Sequence, residues 1–298
     1  MTAEEFVQKY HDMTVPDFVP NTGGTSGCPV VGSRIIRAPV DEYCNTRFSN
    51  YYGKSHSKRW ELRKTLIHFC EAQVADPDTP LYQIGAGYTL ANSFPPLAYC
   101  DKTMIDDSFY GKGSPEMLWS TIHLLSYWRG WQRYVDGVAT IAPVDDIVDK
   151  YLGMDCNGFV GNYLKAKYSD FRLGSRTPEE DYFYNRASVR NDVEEVQPDD
   201  VVLMLHEEGS EKIDWKAADL IKELSAQRFL VGHIAVISRV LSASGNTAQI
   251  VLCESRTRRK QNGGPQSNTW TLKRLGKYHF AIVGRSQPIH SVLRVKHT

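Results

Sequence analysis

The second half of the chain contains five short segments that are rich in valine and isoleucine and are bounded by turn residues. They are DDVVLML at 199–205, GHIAVISRVL at 232–241, TAQIVLCES at 247–255, KYHFAIVG at 277–284 and HSVLRVK at 290–296. Runs of this length and composition are typical of β-strands. Because helical patterns precede these strands instead of alternating with them, the order predicts an α+β domain over 136–298, with helices packed on an antiparallel sheet.

The first half of the chain shows helical periodicity instead. Apolar residues recur at helical spacing over 57–74 and again after Pro115, which suits the first position of a helix that Ser114 can cap. The segment from Pro16 to Ser33 is rich in proline, glycine, serine and threonine, which is typical of an extended loop. Residues 1–135 are therefore expected to form a mainly helical region with a flexible Gly/Pro-rich arm.

Composition excludes several classes of function. The 298 residues carry 35 basic and 35 acidic side chains, so no net charge favours nucleic acid as a partner. The N-terminus lacks the basic start and apolar run of a signal peptide, and no window is apolar enough for a membrane span. The six cysteines contain no C-x-x-C pair, which argues against a disulfide framework or a zinc site. We expect the protein to be cytoplasmic when it is synthesised and to use neither a metal nor a cofactor.

The segment LGMDCNGFVGNYL at 152–164 places Cys156 where a helix is predicted to begin. The positive end of the helix dipole favours a thiolate and also a developing oxyanion. The small neighbours Asn157 and Gly158 leave room for a substrate carbonyl. These features make Cys156 the candidate nucleophile.

A candidate base and its partner follow on a predicted hairpin. His233 begins a strand directly after a glycine, and a hairpin turn centred near Ser244 places it opposite Glu254 or Ser255. Glu254 can orient the imidazole and stabilise its protonated form, whereas a one-residue register slip would bring Ser255 there instead. The sequence thus predicts a Cys156–His233–Glu254 triad.

Other residues of the same types lie in this half of the chain. His206 and His279 are alternative bases, but neither follows a glycine. Cys253 precedes the candidate glutamate and should point away from it into apolar packing. We therefore interpret Cys253 as a core residue.

The motifs resemble those of the NlpC/P60 and CHAP cysteine peptidases and amidases of the papain-like superfamily. DCNGFV at 155–160 is similar to the D-C-[SN]-G-[FL]-V nucleophile motif, VQPDDVV at 196–202 to the P-G-D strand entry, and GHIAVI at 232–237 to the G-H-[VI] motif. IVLCES at 250–255 resembles the CHAP strand that ends in glutamate. Asp199 stands where the family usually has glycine, and Arg256 where CHAP proteins have asparagine.

The resemblance implies a papain-like fold for 136–298 and a cysteine hydrolase that cleaves an amide or peptide bond through a thioester. It also implies that Asp155, beside the nucleophile, helps to shape or orient the oxyanion site. By the same analogy, the substrate is a bacterial cell-wall peptide or peptidoglycan fragment. The alternatives are an acyltransferase or deamidase that acts on a protein, or a silent binding module in which Cys156 is buried.

Two further expectations concern a basic segment of the sequence and the way in which the protein would reach its substrate. Arg256 and Arg258 belong to RTRRKQNGG, which is a solvated loop or a charged lip that contacts the carboxylates of the substrate. A cell-wall enzyme without a signal peptide fits an effector exported by a specialised secretion system, a phage lysin or an intracellular amidase. Such an effector would have an immunity, inhibitor or delivery protein as its partner.

Overall fold

A computed structural model describes residues 1–11, 13–19, 30–37, 53–75, 102–136, 143–171, 182, 186–207, 222, 229–256, 264–285 and 289–296. Within these ranges, no helix has both the length and the apolar character that crossing a membrane requires.

The described helices are α1 (Ala3–His11), α2 (Gly53–Ala75), α3 (Lys102–Phe109), α4 (Pro115–Asp136), α5 (Val144–Tyr151) and α6 (Cys156–Lys167). The helices predicted to start at Pro115 and near Cys156 begin at these residues. The predicted cap of α4 is present, because the Met117 amide donates a hydrogen bond to Ser114 Oγ at 3.2 Å. This bond satisfies one of the N–H groups that the first turn of a helix leaves without a helical partner.

Two strands near the N-terminus correct the prediction of an unstructured arm. β1 (Thr14–Val19) pairs antiparallel with β2 (Val30–Arg37), so both ends of the 16–33 segment are regular, while 20–29 lie outside the described residues. β1 is held on α4 by Ser126, whose hydroxyl donates to the Pro16 carbonyl at 2.7 Å and accepts from the Phe18 amide at 3.2 Å. The polar and proline-rich sequence concealed strands that depend on this contact with a helix.

The strands of the second half close into a barrel. They are β3 (Arg186–Val189), β4 (Val201–Glu207), β5 (Phe229–Ser244), β6 (Thr247–Arg256), β7 (Gly264–Gly276), β8 (His279–Ile282) and β9 (Ile289–Val295). Their order in the sheet is β3-β9-β4-β5-β6-β7-β8, and β8 pairs again with β9 through Phe280 and His290. Strands β4 to β9 therefore form a closed antiparallel barrel of six strands.

This closure shows that the predicted papain-like α+β fold with a helical N-terminal region is wrong. Strands, with few helices, build this part of the described chain, and the N-terminal region contains the β1–β2 pair as well as helices. β9 pairs with β4 along one edge and with both β8 and β3 along the other, which removes the free edges that an open sheet would keep. Register shifts in β5 after Ile237 and Val240 supply the local bending that closure requires.

The barrel interior is apolar, and the alternation of side chains explains which residues enter it. Ala235 and Ile237 of β5 point inward together with Ala248, Ile250 and Leu252 of β6. The buried hydrophobic residues of this core are Val193, Val196, Val202, Met204, Ala235, Ile237, Ala248, Ile250, Leu252, Leu272, Phe280, Ile282 and Val292. By the same alternation, His233 and Glu254 belong to the inward faces of their strands.

The described elements fall into two compact units. One contains β1, β2 and helices α2 to α5, and the other contains α6, the barrel strands and α1 as far as Gln8. The domain boundary expected near residue 136 lies at the end of α4. In the structure, the chain leaves the barrel unit after Gln8 and returns to it at Cys156.

Candidate functional site

Cys156 is the first residue of α6, and it is partly exposed while the next eight residues of the helix are buried. Helix α6 packs on β5 and β6 of the barrel. Phe6 of α1 lies against the rings of Phe159 and Tyr163, at centroid distances of 5.9 and 5.8 Å. These buried contacts hold the helix start in place, so the sulfur has a defined position at an accessible site.

Asn157 has a structural role in this site. Its side chain is buried, and the Tyr182 hydroxyl lies 2.8 Å from its Oδ1 and 3.1 Å from its carbonyl oxygen. This arrangement fixes the first turn of α6 from the side that faces the protein interior.

The structure brings His233 and Glu254 together, although the predicted register was wrong. The hairpin turns at Gly245, which has φ of 59°, and Val236 pairs with Cys253. Continuing that pairing places Ala235 opposite Glu254, so His233 is a diagonal neighbour on the same face. The error was two residues, which preserves the face of a strand, and His233 Nε2 lies 2.9 Å from Glu254 Oε2. Ser255 takes the other face, so the alternative partner is not the one that meets the ring.

The Cys156 sulfur lies near enough to His233 to interact electrostatically with its ring. Burial would lower the pKa of His233, but the Cys156 sulfur and the Glu254 carboxylate raise it to about 10. The imidazole therefore holds its proton at neutral pH, between two groups that can carry negative charge. The His233 side chain keeps 15% of its surface exposed whereas Glu254 keeps 1%, so a substrate can approach the ring but not the carboxylate.

Arg285 is a member of this cluster that the sequence did not reveal. Its Nη1 donates to Glu254 Oε2 at 3.0 Å and its Nη2 to Oε1 at 2.5 Å. The guanidinium carbon also lies 4.4 Å from the centre of the Trp270 ring. Burial would raise the pKa of Glu254, but the hydrogen bonds from His233 and Arg285 lower it to about 2. Gly284, just before the arginine, has φ of 89° and turns the chain there, but a glycine turn does not by itself mark the next residue as part of a site.

Asp199 anchors the far end of α6 to the entry of β4. It adopts φ of 71°, in the left-handed region where glycine is favoured. Its carboxylate accepts hydrogen bonds from Tyr163, from Tyr168 at 2.7 Å and from Lys167 at 2.7 and 2.9 Å. Burial would raise the pKa of Asp199, but these donors lower it.

The structure locates the remaining predicted residues as follows. The Asp155 carboxylate forms an ion pair with Lys112 at 2.7 Å, and its proposed part in the oxyanion site stays a prediction. Arg256 is partly buried at the end of β6, and its carbonyl accepts a hydrogen bond from Gln266, whereas Arg258 lies outside the described residues. Of the predicted bases, His233 is the one whose pKa the Cys156 sulfur raises, burial lowers the pKa of His279, and the side chain of His206 lies outside the described residues. Cys253 is fully buried, and burial raises the pKa of its thiol, as a core cysteine requires.

Among the described residues, no group of three or more histidine, cysteine, aspartate or glutamate side chains could hold a metal ion. No protein-family model matches the chain, and no significant match was found among curated proteins or among solved structures.

Proposed function

We propose that the protein is a cysteine hydrolase that cleaves an amide or peptide bond, with Cys156 as its nucleophile. The observation that carries the proposal is the grouping of Cys156, His233 and Glu254, in which the sulfur interacts electrostatically with the ring and the ring contacts a buried carboxylate at 2.9 Å. Nucleophile, base and orienting acid are the three parts that thiol-dependent acyl transfer needs. Because Nε2 is engaged by Glu254, we assign the interaction with the sulfur to Nδ1.

The chemistry follows from the proton that the His233 imidazole holds at neutral pH. The Cys156 thiolate attacks the carbonyl carbon, and the C=O electron pair moves to oxygen, where the N-terminal end of α6 favours the negative charge. The C–N bond then breaks as the His233 imidazolium donates its proton to the leaving amine, which gives an acyl thioester. Water attacks the thioester while His233 accepts its proton, and the carboxylic acid product leaves as the thiolate is restored.

The substrate class that we propose is a bacterial cell-wall peptide. It rests on the resemblance of the 155–160, 196–202, 232–237 and 250–255 segments to motifs of NlpC/P60 and CHAP enzymes, and not on the fold. Arg256, next to Glu254 in the chain, adds a positive charge of the kind that attracts peptide carboxylates.

Mass spectrometry of peptidoglycan digests tests the proposal. Wild type and Cys253→Ala should release fragments with new amino termini, whereas Cys156→Ala should release none, since Cys253 is a buried thiol outside the triad. Iodoacetamide labelling at pH 7 gives a second, substrate-independent readout, in which Cys156 should react faster than Cys253 and Cys70.

The two readouts separate the possible failures. If Cys156 labels rapidly but the muropeptide profile does not change, the cell-wall substrate is wrong while the thiol chemistry stands. If Cys156 labels no faster than the buried thiols, the hydrolase proposal itself is wrong.

A further inference from the structure

We propose that Arg285 is a positioning residue of this site, which holds Glu254 in the one orientation that directs a carboxylate oxygen at His233. This inference rests on the proposed function and extends the triad by a fourth member. Arg285 acts through Glu254, and its own side chain is 1% exposed, so it does not reach a substrate.

The geometry of the contact supports a positioning role. Both terminal nitrogens of Arg285 engage Glu254, one on each carboxylate oxygen, at 3.0 and 2.5 Å. A paired contact of this kind fixes the plane of the carboxylate, which a single charge on a flexible lysine does not. Oε2 accepts from Arg285 and from His233 together, so rotation of the carboxylate would break both contacts.

Further contacts hold the guanidinium itself. Its carbon lies over the Trp270 ring at 4.4 Å, and Nη1 lies 3.4 Å from Met204 Sδ on the inner face of β4. Stacking on an aromatic face and contact with a soft sulfur suit a weakly hydrated guanidinium in an apolar setting. The position of Arg285 is therefore determined by the barrel and not by the carboxylate alone.

Other described ionisable groups lie around the pair of Arg285 and Glu254. His233 of β5 faces Glu254 from one side, and Cys156 of α6 lies beyond it. His290 of β9 is buried, and burial together with the positive charge of Arg285 lowers its pKa to about 4. It is neutral above that pH, so the negative charge of Glu254 is shared between Arg285 and His233.

The test measures the rate of Cys156 alkylation by iodoacetamide from pH 3 to pH 10, in the full-length protein. Arg285→Gln should slow alkylation at pH 7 by about 10- to 100-fold, as is typical when a residue that orients a functional group is removed. It should also move the acid limb of the profile to higher pH, because Glu254 loses the donors that keep it ionised. Arg285→Lys should give an intermediate rate, since lysine keeps the positive charge but cannot donate from two nitrogens to both carboxylate oxygens.

Two controls separate positioning from loss of folding. Arg190→Gln breaks another ion pair with a buried carboxylate, that of Asp200, and should leave the alkylation profile in place. In a Glu254→Gln background, Arg285→Gln should slow alkylation by less than about a further threefold. The effects of two substitutions are not additive when one residue acts through the other. Circular dichroism of each variant reports folding, and Arg285→Lys carries the test if Arg285→Gln does not fold.

The outcomes distinguish this inference from the proposed function. A wild-type Cys156 that reacts no faster than Cys253 overturns both. A reactive Cys156 whose rate and acid limb are unchanged in Arg285→Gln and Arg285→Lys overturns the role of Arg285 alone. Fully additive losses in the double variant also overturn it, since Arg285 would then act independently of Glu254.

Discussion

Replacing Glu254 with glutamine tests the charge at the centre of the site while preserving its shape. In the folded protein both carboxylate oxygens accept hydrogen bonds, from His233 at 2.9 Å and from Arg285 at 3.0 and 2.5 Å. A glutamine amide must direct its own N–H donors at one of these partners. Glu254→Gln therefore leaves Arg285, a buried cation, without its counter-ion, and we expect a large loss of stability.

The size of that loss follows from the pKa of Glu254. It is about 2 in the folded protein, against 4.5 for an ordinary glutamate. At about 1.4 kcal/mol per pH unit, this difference corresponds to about 3 kcal/mol of stability at neutral pH. The side chain is 1% exposed, so screening by solvent does not reduce the figure. It agrees with the roughly 3–5 kcal/mol lost when one partner of a buried ion pair is removed.

The pH dependence gives a second signature of the same charge. Because its folded pKa is depressed, Glu254 contributes stability that is complete above about pH 4.5 and is lost as the pH falls towards 2. His233 has a raised pKa, so its contribution is complete below about pH 6.5 and is lost as the pH rises towards 10. Stability from the pair should therefore be greatest between about pH 4.5 and 6.5, and Glu254→Gln should flatten the acid limb.

Urea unfolding combined with pulsed hydrogen exchange and mass spectrometry measures this effect in the right part of the chain. Peptides from β5 and β6 report on the barrel unit separately from the rest of the chain. If the slope of the unfolding free energy against urea concentration is the same as in wild type, the substitution has changed only the stability. Asp192→Asn is the matched control, because it breaks the more exposed ion pair with Arg274 and should cost less than about 1 kcal/mol. A loss below about 1 kcal/mol for Glu254→Gln, or an acid limb as steep as that of wild type, would refute the reasoning.

Two further predictions concern the placement of α6. Phe159 is fully buried, so Phe159→Ala should destabilise the barrel unit by about 3–5 kcal/mol in the same urea experiment, whereas a loss under 1 kcal/mol would show that the helix is not held by this contact. Asp199→Ala should be about 1 kcal/mol less stable than Asp199→Gly, because both lose the carboxylate but only alanine is strained at φ of 71°; equal stabilities would contradict a backbone requirement at this position.

Helices with complete local signals could be read directly from the sequence. Pro115 and the Ser114 cap mark the start of α4, and the segment after Gly153 places Cys156 at the start of α6. Such signals depend only on residues within a turn or two of the helix end. The prediction for this part of the site needed no knowledge of the tertiary fold.

The barrel could not be predicted in the same way, because β7 has no strand-like run. In GPQSNTWTLKRLG the interior of the barrel receives Leu272, while the other positions of the strand are largely polar or partly exposed. β3, with the sequence RASV, is equally inconspicuous. Without β7 the five recognised strands suggest an open sheet, and the second pairing of β9, with β8, is a long-range contact that no local pattern encodes.

The contrast between Glu254 and Arg285 shows how far local reasoning reaches into the site. Glu254 lies on the same hairpin as His233, so a register error of two residues still left both side chains on one face. Arg285 follows β8 and meets Glu254 of β6 only after β7 has been placed between those strands. An arginine after a glycine turn is otherwise indistinguishable from a surface residue. The orienting acid was therefore predictable from one turn, whereas the residue that holds it depends on the closure of the whole barrel.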